Sequence, residues 1–141
     1  MKKIAVVFWS GTGNTSAMAD AVADGAKGAG AEVDLCMCTD FDAGSIASYD
    51  ALAFGCPAMG NEVLEEDDFG PMFESILPKL KGKNIALFGS YGWGGGEWMA
   101  NWEQMCSGKG VTPAQDSVIC EGAPDGDVLD KLKEMGAALA G

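Results

Sequence analysis

Arginine and histidine are both missing from this chain, and all nine of its basic residues are lysines. Without histidine there is no imidazole general base, no histidine-paired nucleophile and no histidine ligand for zinc. Without arginine there is no planar fork to clamp a phosphate. Against 21 acidic residues the lysines leave a net charge of −12. That balance argues against nucleic acid as a partner, because binding the phosphate backbone needs a basic surface. It favours a protein partner with a basic docking patch.

Paired cysteine motifs are missing too. Cys36, Cys38, Cys56, Cys106 and Cys120 are odd in number and scattered, with no C-x-x-C pair, so neither a disulfide framework nor a zinc site is indicated. Reduced and mostly buried thiols are expected. Cys36 and Cys38 flank Met37 at a strand end, where alternation turns both toward one face. No apolar run nears the roughly 18 residues of a membrane span. The run after Met1-Lys-Lys stops at Ser10 without a small-residue cleavage site. The expectation is a cytoplasmic protein, not attached to a membrane, with residues 1–141 forming one domain.

What is present is an alternation of apolar runs and helical patterns. Lys3–Phe8 reads as a central strand buried on both faces. Glu32–Met37, Asp50–Cys56, Lys83–Gly89 and Ser117–Glu121 read as four more strands. Ser16–Ala29, Phe69–Lys81, Glu97–Ser107 and Asp125–Ala140 read as helices, with a short one at Ala43–Ala47 and Pro78 placed to stop its helix early. Strands alternating with helices imply an α/β, doubly wound parallel sheet, with ligands at the carboxyl ends of its strands.

Three loops at that edge suit one ligand. Ser10-Gly-Thr-Gly-Asn-Thr-Ser16 follows the first strand and leads into a helix. Gly11 and Gly13 allow close backbone approach, while Ser10, Thr12, Asn14 and Thr15 add side-chain donors. No cation is near in sequence, so a phosphate would be held by neutral donors alone. The loop lacks the Gly-Lys-Ser/Thr of a Walker A motif. As a dinucleotide fingerprint it has Ser16 where glycine is wanted, although Asp34 stands near the place of the ribose-binding acid. Cys56-Pro-Ala-Met-Gly-Asn-Glu-Val63 and Gly89-Ser-Tyr-Gly-Trp-Gly-Gly-Gly96 follow the third and fourth strands. Met59 and Trp93 are side chains fit to grip a planar ring. Together the loops favour a phosphate-bearing aromatic cofactor.

Trp9-Ser-Gly-Thr-Gly-Asn-Thr15, Cys56-Pro-Ala-Met-Gly60 and Phe88-Gly-Ser-Tyr-Gly-Trp-Gly94 resemble the three FMN-binding loops of short-chain flavodoxins of anaerobic bacteria, and the likeness covers essentially the whole chain. The resemblance implies a flavodoxin-like three-layer sandwich with a five-stranded parallel sheet of order 2-1-3-4-5 and helices on both faces. It implies a low-potential one-electron carrier, not an enzyme, working through non-covalent FMN and its semiquinone/hydroquinone couple. The implied partners are oxidoreductases of the kind that use ferredoxin or flavodoxin, met by a monomer. The implied FMN residues are Ser10, Gly11, Thr12, Gly13, Asn14 and Thr15 at the phosphate, then Pro57, Ala58, Met59, Gly60, Asn61, Glu62, Ser90, Tyr91, Gly92, Trp93 and Gly94 around the ring. No catalytic or metal-binding residue is implied.

Within that set Met59 would face the inner side of the ring and Trp93 the outer, with the backbone around Tyr91 and Gly92 on the pyrimidine edge and Glu62 on the ring N3–H. The Gly60–Asn61 peptide would turn its carbonyl toward N5–H on reduction and so stabilise the neutral semiquinone. Asn61 tolerates left-handed backbone better than most residues, though less well than glycine. Pro57 lacks an N–H that serine or threonine offers in relatives. Competing functions on such a fold are an FMN-dependent quinone or nitro reductase, for which little sequence remains to build a substrate pocket, and a receiver-like module, which would need aspartates where Ser10-Gly-Thr-Gly stands.

The acids near the loops, Glu62, Glu65, Glu66, Asp67, Asp68 and Glu97, read as a solvated face that opposes a reduced, anionic flavin. One carboxylate at about 10 Å, in a dielectric of about 40–80, costs roughly 0.4–0.8 kcal/mol before screening. Several would lower the second potential by on the order of 100 mV.

Overall fold

Residues Lys3–Phe8 form the central strand β1 because both of its faces are covered. Even-numbered Ile4, Val6 and Phe8 enter one apolar cluster and odd-numbered Ala5 and Val7 the other, the two-residue alternation of a pleated strand. The computed structural model describes residues 2–11, 13–59, 63–92 and 95–141. In it β1 is followed by helix α1 (Asn14–Gly28), β2 (Glu32–Met37), β3 (Ala51–Gly55), α2 (Phe69–Ile76), β4 (Asn84–Tyr91), α3 (Glu97–Ser107), β5 (Val118–Glu121) and α4 (Gly126–Ala140). The sheet order is β2-β1-β3-β4-β5, every pairing parallel.

Helices α1 and α4 cover the face of Ile4, Val6, Ala53 and Ala86, while α2 and α3 cover that of Ala5, Val7, Leu52 and Leu87. The first two meet almost backbone to backbone. A Cβ on Gly25 would lie 2.0 Å from the Lys133 carbonyl oxygen, and one on Gly136 2.0 Å from that of Val22. Only glycine fits at either place. The opposite face is aromatic: Phe69 and Phe73 each meet Trp102 edge-on at 5.4 Å, an arrangement aromatic quadrupoles favour.

Local sequence explains the departures from expectation. Phe69–Ile76 is α-helical, but Leu77–Lys79 tightens into a 3-10 turn at Pro78, which has no N–H for an α-helical bond. The short segment after Asp42 is a 3-10 helix, Ala43–Ser48, whose N-cap carboxylate accepts the Ser45 N–H at 3.1 Å. β4 extends to Tyr91 and so carries Ser90 and Tyr91 out to the sheet edge. Cys36 and Cys38 do share a face, both joining the cluster under α2 and α3. Burial and nearby acids hold the Cys38 and Cys106 thiols up at about 11, as neutral packing groups.

Candidate functional site at the carboxyl edge of the sheet

The loop after β1 is shaped by one hydroxyl and one glycine. Ser10 Oγ accepts the Gly13 N–H at 3.0 Å, and Gly13 sits at φ 97° as the N-cap of α1, a left-handed conformation glycine adopts without cost. Thr15 then lies in the first turn of the helix, 1% exposed, and its Oγ1 has no hydrogen-bond partner. Buried hydroxyls are normally satisfied. A helix N-terminus with an orphaned hydroxyl beneath it fits an anion such as a phosphate. Thr12 lies outside the described residues.

The loops are tied together by backbone bonds. Trp9 N–H donates to Gly55 O at 3.0 Å, Ala58 N–H to Ser90 O at 3.0 Å, and Gly122 N–H to Tyr91 O at 2.8 Å. Between them lies a cavity of about 230 Å³ lined by Trp9, Gly11, Asn14, Pro57, Ala58, Met59, Ser90, Tyr91, Gly92 and Gly122. All three expected loops meet there. Trp9 and Gly122 were not expected. Trp9 is signalled by its place as the last large apolar residue before the phosphate loop, and Gly122 by following β5 at the same edge. Hollows of about 300 Å³ beside α2 and α3, and about 550 Å³ beside β5 and α4, include no residue of the β1–α1 loop.

Gly60, Asn61, Glu62, Trp93 and Gly94 lie outside the described residues, so the expected peptide turn, N3 contact and outer ring face carry no geometry here. What flanks them is defined. Met59 and Val63 form an antiparallel bridge, with N–H···O distances of 2.9 and 3.1 Å. On the β4 side Tyr91 packs against Trp98 at 5.5 Å. Trp98 Nε1 donates to the Cys56 carbonyl at 3.1 Å. A Cβ on Gly89 would come within 2.2 Å of that carbonyl oxygen, so Gly89 is required for the approach.

A family model described as Flavodoxin matches residues 6–136. A flavodoxin of Megasphaera elsdenii is 44% identical over 137 residues, covering 97% of this chain and 98% of the relative. One of Clostridium beijerinckii is 43% identical over 135 residues, covering 96% and 97%. The chain belongs to the flavodoxin family. The solution structure of the two-electron reduced M. elsdenii flavodoxin superposes with a TM-score of 0.88 at 43% identity, covering 96% of this chain and 98% of that one. As a flavodoxin, this chain uses FMN and is an electron-transfer protein, not an enzyme. Among the described residues no helix is long and apolar enough to cross a membrane.

One expectation needs correcting. Glu65 does not belong to a solvated face: it is 5% exposed. Its carboxylate accepts N–H bonds from Asp67 at 2.8 Å, Asp68 at 2.7 Å and Phe69 at 2.7 Å, at the start of α2. Burial alone would raise its pKa, but the three amide bonds outweigh it and hold the carboxyl below its ordinary range. A carboxyl whose pKa is lowered by folding adds stability above the ordinary carboxylate range, and that stability is lost as pH falls through the folded value. Thermal unfolding of the apoprotein should therefore show its midpoint falling between neutral and acid pH, with a shallower fall in Glu65→Gln. An equally steep fall in that variant would count against the assignment.

The lysines are segregated along the strands. Lys2, Lys3, Lys27, Lys79, Lys81, Lys83 and Lys109 precede strands or close the helices that lead into them, Lys131 and Lys133 lie within α4, and no loop that follows a strand contains a lysine. Asp40, Asp42, Glu66, Asp67, Asp68, Glu97 and Asp125 follow strands and Glu121 ends one, whereas Glu32, Asp50 and Asp116 share the amino edge with the lysines. The cavity therefore opens at the acidic edge.

Proposed function

We propose that FMN binds at this edge, with its phosphate in Ser10–Thr15 and its ring against Pro57–Met59 and Ser90–Gly92, completed by Gly60, Asn61, Glu62, Trp93 and Gly94. The unpartnered Thr15 hydroxyl beneath a loop of neutral donors carries this reading. When bound, FMN supplies the one-electron chemistry. The protein holds the phosphate without a cation, covers the ring and surrounds it with carboxylates. Residues 1–141 act as one such unit, a cytoplasmic monomer whose odd complement of thiols stays reduced.

Oxidoreductases with basic patches are the partners this surface fits. Lysines gathered toward the amino edge, with acids and no lysine in the loops of the carboxyl edge, orient the molecule so that its cofactor edge meets a positive surface first. An anaerobic redox titration of the FMN-loaded protein tests both points. The second one-electron potential should be low and should rise with added salt, because screening weakens the carboxylate field beyond about 10 Å. A salt-independent second potential would count against it.

A further inference from the structure

Among the described acids between Met59 and α2, only Glu65 turns inward, whereas Glu66, Asp67 and Asp68 are exposed. Its side chain takes the three amide bonds at the start of α2. Its backbone carbonyl accepts the Gly70 N–H at 2.8 Å. Its own N–H reaches back to Cys56 Sγ at 3.4 Å. Cys56 is in turn fixed by Trp98 Nε1 on its carbonyl and by its N–H to Phe88 O at 3.2 Å. The loop thus leaves the sheet at Cys56 and returns at Glu65 through two joined anchors. Closed higher up by the Met59–Val63 bridge, it presents Met59 to the cavity.

We propose that Glu65 is a positioning residue for the cofactor: by anchoring the returning limb of this loop it sets where Val63 and its bridge partner Met59 stand, and through that the FMN affinity and the first reduction step. The inference rests on the placement of FMN against Met59. The geometry calls for a carboxylate, since three donors converge on two oxygens. A glutamine amide would set its NH2 against one of them and lose that bond. Exposed Glu66 has the same charge one residue away and reaches the flavin only through the electrostatic field.

The test compares Glu65→Gln, Glu65→Asp and Glu66→Gln. Glu65→Gln should weaken FMN binding to the apoprotein about tenfold and change the first one-electron equilibrium by a similar factor, which is about 59 mV for one electron. Glu65→Asp keeps the charge but shortens the arm, and should move both quantities in the same direction; it carries the test should the glutamine variant not fold. Glu66→Gln should leave both within twofold and alter only the second step. In the apoprotein, amide exchange at Met59 and Val63 should quicken in the Glu65 variants alone. The proposal is overturned if Glu65→Asp matches the parent while Glu65→Gln matches Glu66→Gln, a pure charge effect. It is equally overturned if only the unfolding temperature falls, a helix cap and nothing more. Met59→Ala run alongside shows whether the cofactor placement falls with it: unchanged affinity there would sink that placement separately.

Discussion

Replacing Thr15 by valine is expected to weaken FMN binding by about 10- to 150-fold while leaving the apoprotein at least as stable as the parent. The hydroxyl is buried with no partner, so in the apoprotein it contributes an unsatisfied polar group and nothing to offset it. Valine has nearly the same shape, and exchanging an unpaired polar group for an apolar one is neutral or stabilising. With FMN bound, a hydrogen bond to a charged phosphate oxygen is worth about 1.5–3 kcal/mol, which sets the expected loss at about 1.4 kcal/mol per tenfold. Fluorescence titration of apoprotein with FMN, paired with thermal unfolding, reads both signs. Loss of apoprotein stability with unchanged affinity would place the phosphate elsewhere.

Like its counterpart across the seam, Gly25→Ala, Gly136→Ala is expected to be strongly destabilising. Its Cβ would lie 2.0 Å from Val22 O and 2.8 Å from Ala26 N. Both are backbone atoms that no side-chain rotation can move aside. The helices must separate along a seam built of Met18, Val22, Ala26, Leu132, Met135 and Leu139. Overpacking of this kind costs about 3 kcal/mol, or on the order of 10 °C in unfolding temperature at this size. Gly28→Ala is the contrast. Nothing lies within 4 Å of its added methyl, and the lower backbone entropy of the unfolded chain should stabilise by roughly 0.4–1 kcal/mol. Thermal scans of the two variants should move in opposite directions, and equal midpoints would refute the account.

The fold was legible where burial is symmetrical. Lys3–Phe8 and β3 beside it announce a doubly covered parallel sheet by unbroken apolar runs, and the edge rule for ligands then singles out the loops that line the cavity. Glycines were harder to rank. Gly13 and Gly89 are demanded by a left-handed turn and by the Cys56 carbonyl, but in sequence they look no different from Gly28, which nothing constrains. Glu65 was not legible at all. It sits in a run of similar acids, and which one turns inward depends on where Gly70 and Cys56 lie once the loop has closed. Trp9 as a wall of the cavity is not legible either, because periodicity places its backbone and leaves its ring unassigned.

The meeting of α1 and α4 also bears on biosynthesis. The loop after β1 leaves the ribosome well before its support is made, because the helix it caps is seated by residues more than a hundred positions later, Leu132 to Leu139. At about 5–20 residues per second, the loop waits several seconds or more for that support. The nascent chain therefore lacks a firmly seated loop after β1 until translation has passed α4.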